Sequence, residues 1–350
     1  MPLTKQQNTK PEETLRRMFD GQGITVQSMD GGRNNSVFRV DSSNGDRRLA
    51  KFYPEEQSGS RERLSCEFNG LDFLWQHQVR CVPQPIKADT ETRCAVYEFI
   101  NGNSVDASSI GADDIDQTLK FIGALNDLHS PALAANLPIA SDACFSISDL
   151  LGTIDRRYDR LVAVLTAHPE HSTLAEFLYK EFRPIYDNLT QSIKAATKGH
   201  VRDPESVLDL EQRTLSPSDF GFHNTIRRPG GQIAFVDFEY FGWDDPAKMI
   251  SDYLLHPAQD LDQELKERFF NGCLTIFADQ KNLADRMSHV YPLCGLKWCL
   301  LLLNEFVPEV IDRRVHANQG VLDVSALQQE QLNKARKMLF RVQGGHDLPY

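Results

Sequence analysis

At 350 residues the chain is too long for a typical single core, so two lobes sharing a cleft are the natural solution. Its formal charge of −11 at pH 7 opposes nucleic-acid binding, which needs a basic surface. The seven cysteines are an odd set with no C-x-x-C pair and no Cys/His cluster, which argues for reduced thiols and against a disulfide framework or zinc site.

In chain order, Met1 to Glu13 is polar with no apolar segment behind it. The longest strongly apolar run, near Trp298 to Leu303, is far short of a membrane span. These features predict a soluble cytoplasmic protein with no membrane insertion. Strand-like runs then dominate to about Ile100. Two of them, Ile24 to Met29 and Val37 to Asp41, flank Gly31-Gly32-Arg33-Asn34-Asn35-Ser36, a hairpin turn whose glycines let backbone amides approach phosphates. Gly-Gly-x-Asn also serves ordinary hairpins.

The next run, Leu49 to Tyr53, carries one lysine, Lys51, inside an otherwise apolar, alternating segment. A buried strand lysine needs a partner. Sixteen residues on, Glu67 lies on a helix-like stretch from Arg61 to His77, with Glu62 as a rival. Ala95 to Ile100 is a strand running into the turn Asn101-Gly102-Asn103, where a hinge would lie. Beyond Asp114 the periodicity becomes helical, over Ile115 to Leu128, Ile147 to Leu165 and Leu174 to Ala195.

Further on come Ser218-Asp219-Phe220-Gly221-Phe222-His223-Asn224 and then Asp237, which closes the apolar run Ile233 to Val236. Asp219 and Asn224 have the spacing of a kinase catalytic loop, where the Asp takes the acceptor hydroxyl's proton and the Asn reaches a metal; Asp237 stands where a kinase keeps its magnesium-holding Asp. Phosphoryl transfer needs such a set, because fixed cations must meet the charge on the transferring group while a carboxylate orients the acceptor. Magnesium takes hard oxygen ligands, which Asn224 and Asp237 supply. Asp and Asn also cap turns and end strands in ordinary loops.

The ordered set of Gly-rich turn, strand Lys, helix Glu, Asp-Asn loop and later Asp resembles the aminoglycoside phosphotransferase and choline kinase family, the small-molecule relatives of protein kinases, over roughly residues 22 to 310. Leu125 to Ser130 matches the end of a helix these proteins often carry, and Asp237-Phe238-Glu239-Tyr240 is close to the metal motif of choline and ethanolamine kinases. The resemblance implies an α+β, protein-kinase-like fold with a small antiparallel-sheet N-lobe, residues 1–100, and a mainly helical C-lobe, residues 101–350. It implies ATP under Gly31, Gly32, Asn35 and Ser36 and against Lys51, with Glu67 pairing the lysine. The backbone of Glu98 to Ile100 would meet the adenine edge and side chains such as Val37 and Ala50 its faces. Asn224, Asp237 and Glu239 would hold magnesium, and Asp219 would serve as base toward a small molecule with a hydroxyl group, such as an amino alcohol, a sugar or an aminoglycoside.

Two departures stand out. Pro217-Ser218 replaces the family's usual histidine before the catalytic Asp, and the Asp expected about twelve residues after Asp237 falls on Met249, leaving Asp245 or Asp252 to substitute. They suggest an alternative, a catalytically silent nucleotide-binding protein. A protein kinase is disfavoured by the absence of an A-P-E segment and the short interval from Asp237 to the helix near Pro246. Residues 1–100 are balanced at 14 basic and 14 acidic side chains, so the whole negative charge lies in 101–350, a field that favours a cationic acceptor. Asp149, Asp155 to Asp159, Trp298, Asn304 and Glu305 are candidates for the acceptor wall. Rossmann and P-loop fingerprints are missing.

Overall fold

The computed structural model describes residues 5–21, 23–29, 35–54, 62–130, 132–197, 205–259, 261–280, 282–317 and 322–344. The chain forms two compact units. The first comprises residues 1–106, 134–141 and 217–242, and the second 107–133, 142–216 and 243–350.

The first unit is built on an antiparallel sheet. Helix α1 (Lys5–Met18) precedes strands β1 (Ile24–Met29), β2 (Ser36–Ser42) and β3 (Arg47–Phe52), helix α2 (Arg63–Gln76), and strands β4 (Pro85–Asp89) and β5 (Cys94–Glu98). The strand order is β1-β2-β3-β5-β4. In β3, successive side chains point to opposite faces, and this sorts its residues. Ala50 enters an apolar core with Val40, Val96, Leu15 and Met18. Its neighbour Lys51 must therefore point to the other face, together with Leu49 and with Val37, which pairs directly with Lys51. The expectation that Ala50 covers an adenine face is corrected by this alternation: Ala50 lies under the sheet against α1, and Leu49 shares the face of the lysine. Helix α1 itself was not foreseen, although Leu15 and Met18 carry its spacing.

Helix α2 lies close to the chain segment that follows Asp237. A Cβ on Gly70 would stand 2.6 Å from Cδ1 of the buried Phe241. One turn earlier the Cys66 thiol donates to the Phe241 carbonyl at 3.0 Å. Strand β6 (Asn103–Ser104) belongs to a second small sheet of this unit.

The second unit is mainly helical. It contains α3 (Ala112–Asp127), α4 (Ile147–Ala167) and α5 (Ser172–Glu176), the last continuing through a π-helical turn, Phe177–Phe182, into α6 (Arg183–Thr197). Strand β7 (Thr214–Ser216) follows. In the first unit, β8 (Thr225–Arg227) and β9 (Ile233–Phe235) complete the three-stranded sheet β6-β8-β9; in the second, β7 pairs with β10 (Gly242–Asp244), whose Trp243 and Asp244 belong to that unit. The chain ends with α7 (Pro246–Leu255), α8 (Gln263–Ile276), α9 (Leu283–Leu302), α10 (Pro308–Ala317) and α11 (Val324–Gly344).

Local chemistry sets these helix starts. The Ser146 hydroxyl accepts from the Asp149 amide at 3.0 Å and the Asp149 carboxylate accepts from the Ser146 amide at 3.0 Å, a reciprocal cap for α4. Asp245 caps α7 with Pro246 at its first position. Helix α9 is central and packs on α4, α7 and α11. Beside it Lys248, fully buried, reaches Asp244 at 2.8 Å and Asp252 at 3.1 Å, and Lys297 reaches Asp252 at 2.7 Å. No helix among the described residues is long and apolar enough to cross a membrane.

Candidate active site

Lys51 stands at the centre of an acidic cluster within the first unit. Its ammonium donates to Glu67 at 2.7 Å and to Asp237 at 2.5 Å, and lies 3.9 Å from Glu239. Glu67 is thereby the partner of Lys51, as the strand-helix spacing predicts, ahead of Glu62. It also accepts from the Tyr53 hydroxyl at 2.7 Å and, through its other oxygen, from the Phe238 amide at 3.3 Å. The helix carboxylate thus ties the strand lysine to the backbone beside Asp237.

Burial favours the neutral lysine, but the three carboxylates outweigh it and raise the Lys51 pKa above its ordinary value, so the site has a fixed ammonium. Burial, reinforced by Glu67, likewise pushes the Tyr53 hydroxyl well above its usual range and keeps it a donor. Tyr53 and its partner Tyr97, 2.8 Å away, escaped sequence reasoning. Their signal was a tyrosine two residues after Lys51 on the same strand face.

One carboxylate oxygen each from Glu67, Asp237 and Glu239 lies within 4.8 Å of the others. Asp237 is the open member, with 38% of its side chain exposed, while Glu239 has 2%. Glu239 is held by Asn35, whose amide donates to it at 2.8 Å, and by Arg63 at 3.4 Å. Asn35 therefore reaches the second acidic residue after the strand, and its amide oxygen is buried without a hydrogen-bond partner among the described residues. Ser36 begins β2, opposite Phe52. Gly31 and Gly32 lie outside the described residues.

The Asp-Asn loop is a tight structure. Ser218 and Asp237 both adopt left-handed backbone, with φ of 70° and 67°, a conformation that non-glycine residues rarely take and that clusters at functional sites. The Ser218 hydroxyl donates to the Ser141 carbonyl at 2.8 Å, and the Ser141 amide donates to the Tyr240 carbonyl at 3.1 Å. A serine thus fastens the loop where the family's usual histidine is missing. Asn224 donates its amide to the Asp219 carbonyl at 3.0 Å and accepts the Val236 amide on its own carbonyl at 2.9 Å. With its side-chain nitrogen committed, its side-chain oxygen is the atom it can offer a cation. His223 Nε2 lies 3.0 Å from Asp219 Oδ1, holding one oxygen of the predicted base.

Asn35, β3, α2, the Asp-Asn loop and the post-strand acid therefore occur in one unit and in the order that the sequence carries. The model of the phosphotransferase enzyme family matches residues 25–272. The chain belongs to this family. No curated protein sequence matches the chain. Among solved structures, the ethanolamine kinase of Plasmodium vivax is 15% identical with a TM-score of 0.57, covering 91% of this chain and 82% of that one. The choline kinase LicA from Streptococcus pneumoniae is 14% identical with a TM-score of 0.55, covering 95% and 100%. A spectinomycin phosphotransferase in complex with ADP and spectinomycin is 13% identical with a TM-score of 0.58, covering 98% and 99%. The fold is the protein-kinase-like one of these phosphotransferases, with an antiparallel-sheet N-terminal region and a helical C-terminal region.

At the predicted hinge, the Glu98 amide already donates to the Gln84 carbonyl at 2.8 Å, and the Glu98 carboxylate lies 3.4 Å from Arg228. Ile100 is buried beyond the strand end. In the second unit the candidate wall separates by role. Asp149 caps α4, Asp155 accepts from the Tyr186 hydroxyl at 2.7 Å, and Tyr158 stacks on Phe182. Asp245 caps α7 and pairs with Arg286, while Asp252 is neutralised by two lysines and bonded by Trp298 at 3.0 Å. Glu305 pairs with Arg314 at 2.5 Å. Arg156, Arg157 and Asn304 line a cavity of about 170 Å³.

Proposed function

We propose that the protein is an ATP-dependent small-molecule kinase that moves a γ-phosphoryl group to a hydroxyl, with Asp219 as the base. The observation that carries this reading is the meeting of Lys51 with Glu67 and Asp237 at 2.7 and 2.5 Å. A buried strand lysine, a helix glutamate and a left-handed aspartate from three distant chain segments have no packing reason to converge, whereas a polyphosphate site needs them together. The ADP and AMP complexes among the similar structures support nucleotide use.

Lys51, held by Glu67, presents a permanent cation to the donor phosphates. Asn35 and Ser36 lie at the end of the turn over which those phosphates are expected to lie with Gly31 and Gly32, and Glu98 and Ile100 mark the strand end expected to meet the base. The carboxylates of Asp237 and Glu239 lie together, and with the Asn224 amide oxygen they supply hard oxygen donors of the kind magnesium takes. Magnesium, when bound, offsets the charge of the phosphate oxygens. Asp219 orients the acceptor hydroxyl and accepts its proton as the new P–O bond forms and the bond to the β-phosphate breaks, and the proton then passes to solvent. His223 keeps the carboxylate aligned.

ADP release with Mg-ATP, measured across sugars, amino alcohols and aminoglycosides with Asp219→Asn as control, tests this reading. An acceptor-dependent signal lost in the control is expected. If ATP does not bind at all, the nucleotide site is wrong.

A further inference from the structure

Helix α4 of the second unit carries Thr153, Arg156, Arg157 and Arg160 on one wall of the cavity of about 170 Å³. Their spacing of three, four and seven residues is that of a single helix face, so three guanidinium groups are brought side by side. The opposite lining includes Asp142, just ahead of the helix, and Asn304, in the turn after α9. The cavity is large enough for several waters or one small ion.

The charges on this lining do not balance. Asp142 is its single carboxylate and is engaged by Arg157. Among the described residues, Arg160 reaches the exposed Glu309, at 3.4 Å. Arg156 donates to the neutral Thr153 hydroxyl at 2.8 Å and pairs with no carboxylate among the described residues. The Arg157 Nε is buried with no hydrogen-bond partner among the described residues. The like charges repel one another, screened in part because Arg156 and Arg160 are exposed, and the buried N–H of the half-buried Arg157 is costly when left unsatisfied. Both are relieved by one ligand chemistry, an oxyanion, which a planar guanidinium meets with paired hydrogen bonds.

We infer that this cavity is a binding site for a small oxyanionic group, a carboxylate or a phosphate, held by Arg156, Arg157 and Arg160 with the Asn304 amide. The reading goes beyond the phosphotransferase reaction and does not depend on it. It also runs against the cationic acceptor that the acidic composition of residues 101–350 suggests, because a local cluster of guanidiniums decides what binds at contact distance while net charge acts diffusely.

Calorimetric titration of the full chain with inorganic phosphate, D-glucuronate and D-glucose tests the site at low ionic strength. Saturable one-to-one binding of phosphate or glucuronate, but not glucose, is expected. Arg156→Met should weaken it at least tenfold, and Asn304→Asp, which puts a carboxylate into the cavity at nearly constant volume, should abolish it. Arg268→Met, which removes an exposed guanidinium paired with Asp116 elsewhere in the second unit, should leave it unchanged. Thermal melts confirm folding of each variant, and unchanged AMP-PNP affinity in Arg156→Met separates this site from a nucleotide site. Preference for glucuronate, with phosphoryl transfer to it dependent on Arg156, assigns the anion to the acceptor; binding of phosphate alone assigns it to a free ion. Absence of saturable binding by either anion, binding undiminished in both cavity variants, or displacement by AMP-PNP overturns the proposal. Failure of the nucleotide to bind while phosphate still requires Arg156 would sink the kinase reading and leave the oxyanion site standing.

Discussion

The hydroxyl of Ser218 donates to the carbonyl of Ser141 at 2.8 Å, and so anchors the residue preceding Asp219 to a segment 77 positions earlier in the chain. Ser141 in turn holds Tyr240, three residues beyond Asp237. One backbone position therefore braces both acidic elements of the candidate site.

Replacing Ser218 separates the brace from the backbone strain. Ser218→Ala loses a hydrogen bond of about 1 kcal/mol and keeps the left-handed penalty. Ser218→Gly loses the same bond but removes the Cβ penalty of about 1–2 kcal/mol. The expected order of melting temperature is Gly at or above wild type and Ala below it, with turnover reduced in both. A glycine variant as destabilised as the alanine one would count against strain at this position.

Glu67 is the buried one of the two carboxylates bonded to Lys51, the other being the more open Asp237. Glu67→Ala removes the buried member of the set and leaves Asp237 and Glu239 beside the ammonium, so its cost should fall below the about 3–5 kcal/mol of a buried charge left without any partner. Urea denaturation should show this loss, and Glu67→Gln, which keeps the shape, should fall between the two.

Asp219 and Asp237 should fail differently. Asp219→Asn is expected to lower turnover by about 10²–10⁴, the usual worth of a general base, with nucleotide affinity nearly intact. Asp237→Ala should instead weaken nucleotide binding only when magnesium is present. Calorimetry with AMP-PNP, with and without the metal, distinguishes them, and equal damage in both variants would remove the assigned roles.

Gly70 tests the approach of α2 to Phe241. Alanine improves helix propensity by about 1 kcal/mol, but its Cβ would stand 2.6 Å from a buried ring, and overpacking costs about 1–3 kcal/mol. Gly70→Ala should therefore destabilise or be neutral, and Gly70→Val should be clearly worse. Equilibrium unfolding of the two variants measures the difference.

Asp244 gives the fold a pH dependence of unusual sign. Burial raises its pKa to about 6, against the opposing pull of Lys248. From about pH 4 to 6 the folded chain holds a proton that the unfolded chain has released. Its contribution to stability is thus greatest below that window and is lost as pH rises through it. Carboxyl carbon NMR should show Asp244 titrating near 6, and the melting difference between wild type and Asp244→Asn should change across the same window.

Elements with strong local signals were legible in advance. The lysine inside an alternating strand, the helix glutamate and the Asp-Asn spacing are patterns within a few residues, and periodicity of 2 or 3.6 placed β1, α2, α3 and α4 close to their observed spans. Strand alternation also contained the true facing of Ala50, opposite to Lys51, but its consequence needed α1, a mostly polar helix that packs Leu15 and Met18 against it. The sequence by itself thus determined which residue types stand on which elements, because backbone geometry repeats locally. The bond of Asn35 to Glu239 across 204 positions, the Ser218 brace and the gathering of Arg156 with Asn304 belong to the tertiary structure alone. Such contacts depend on where distant segments pack, and no local periodicity encodes the partner of a side chain hundreds of residues away.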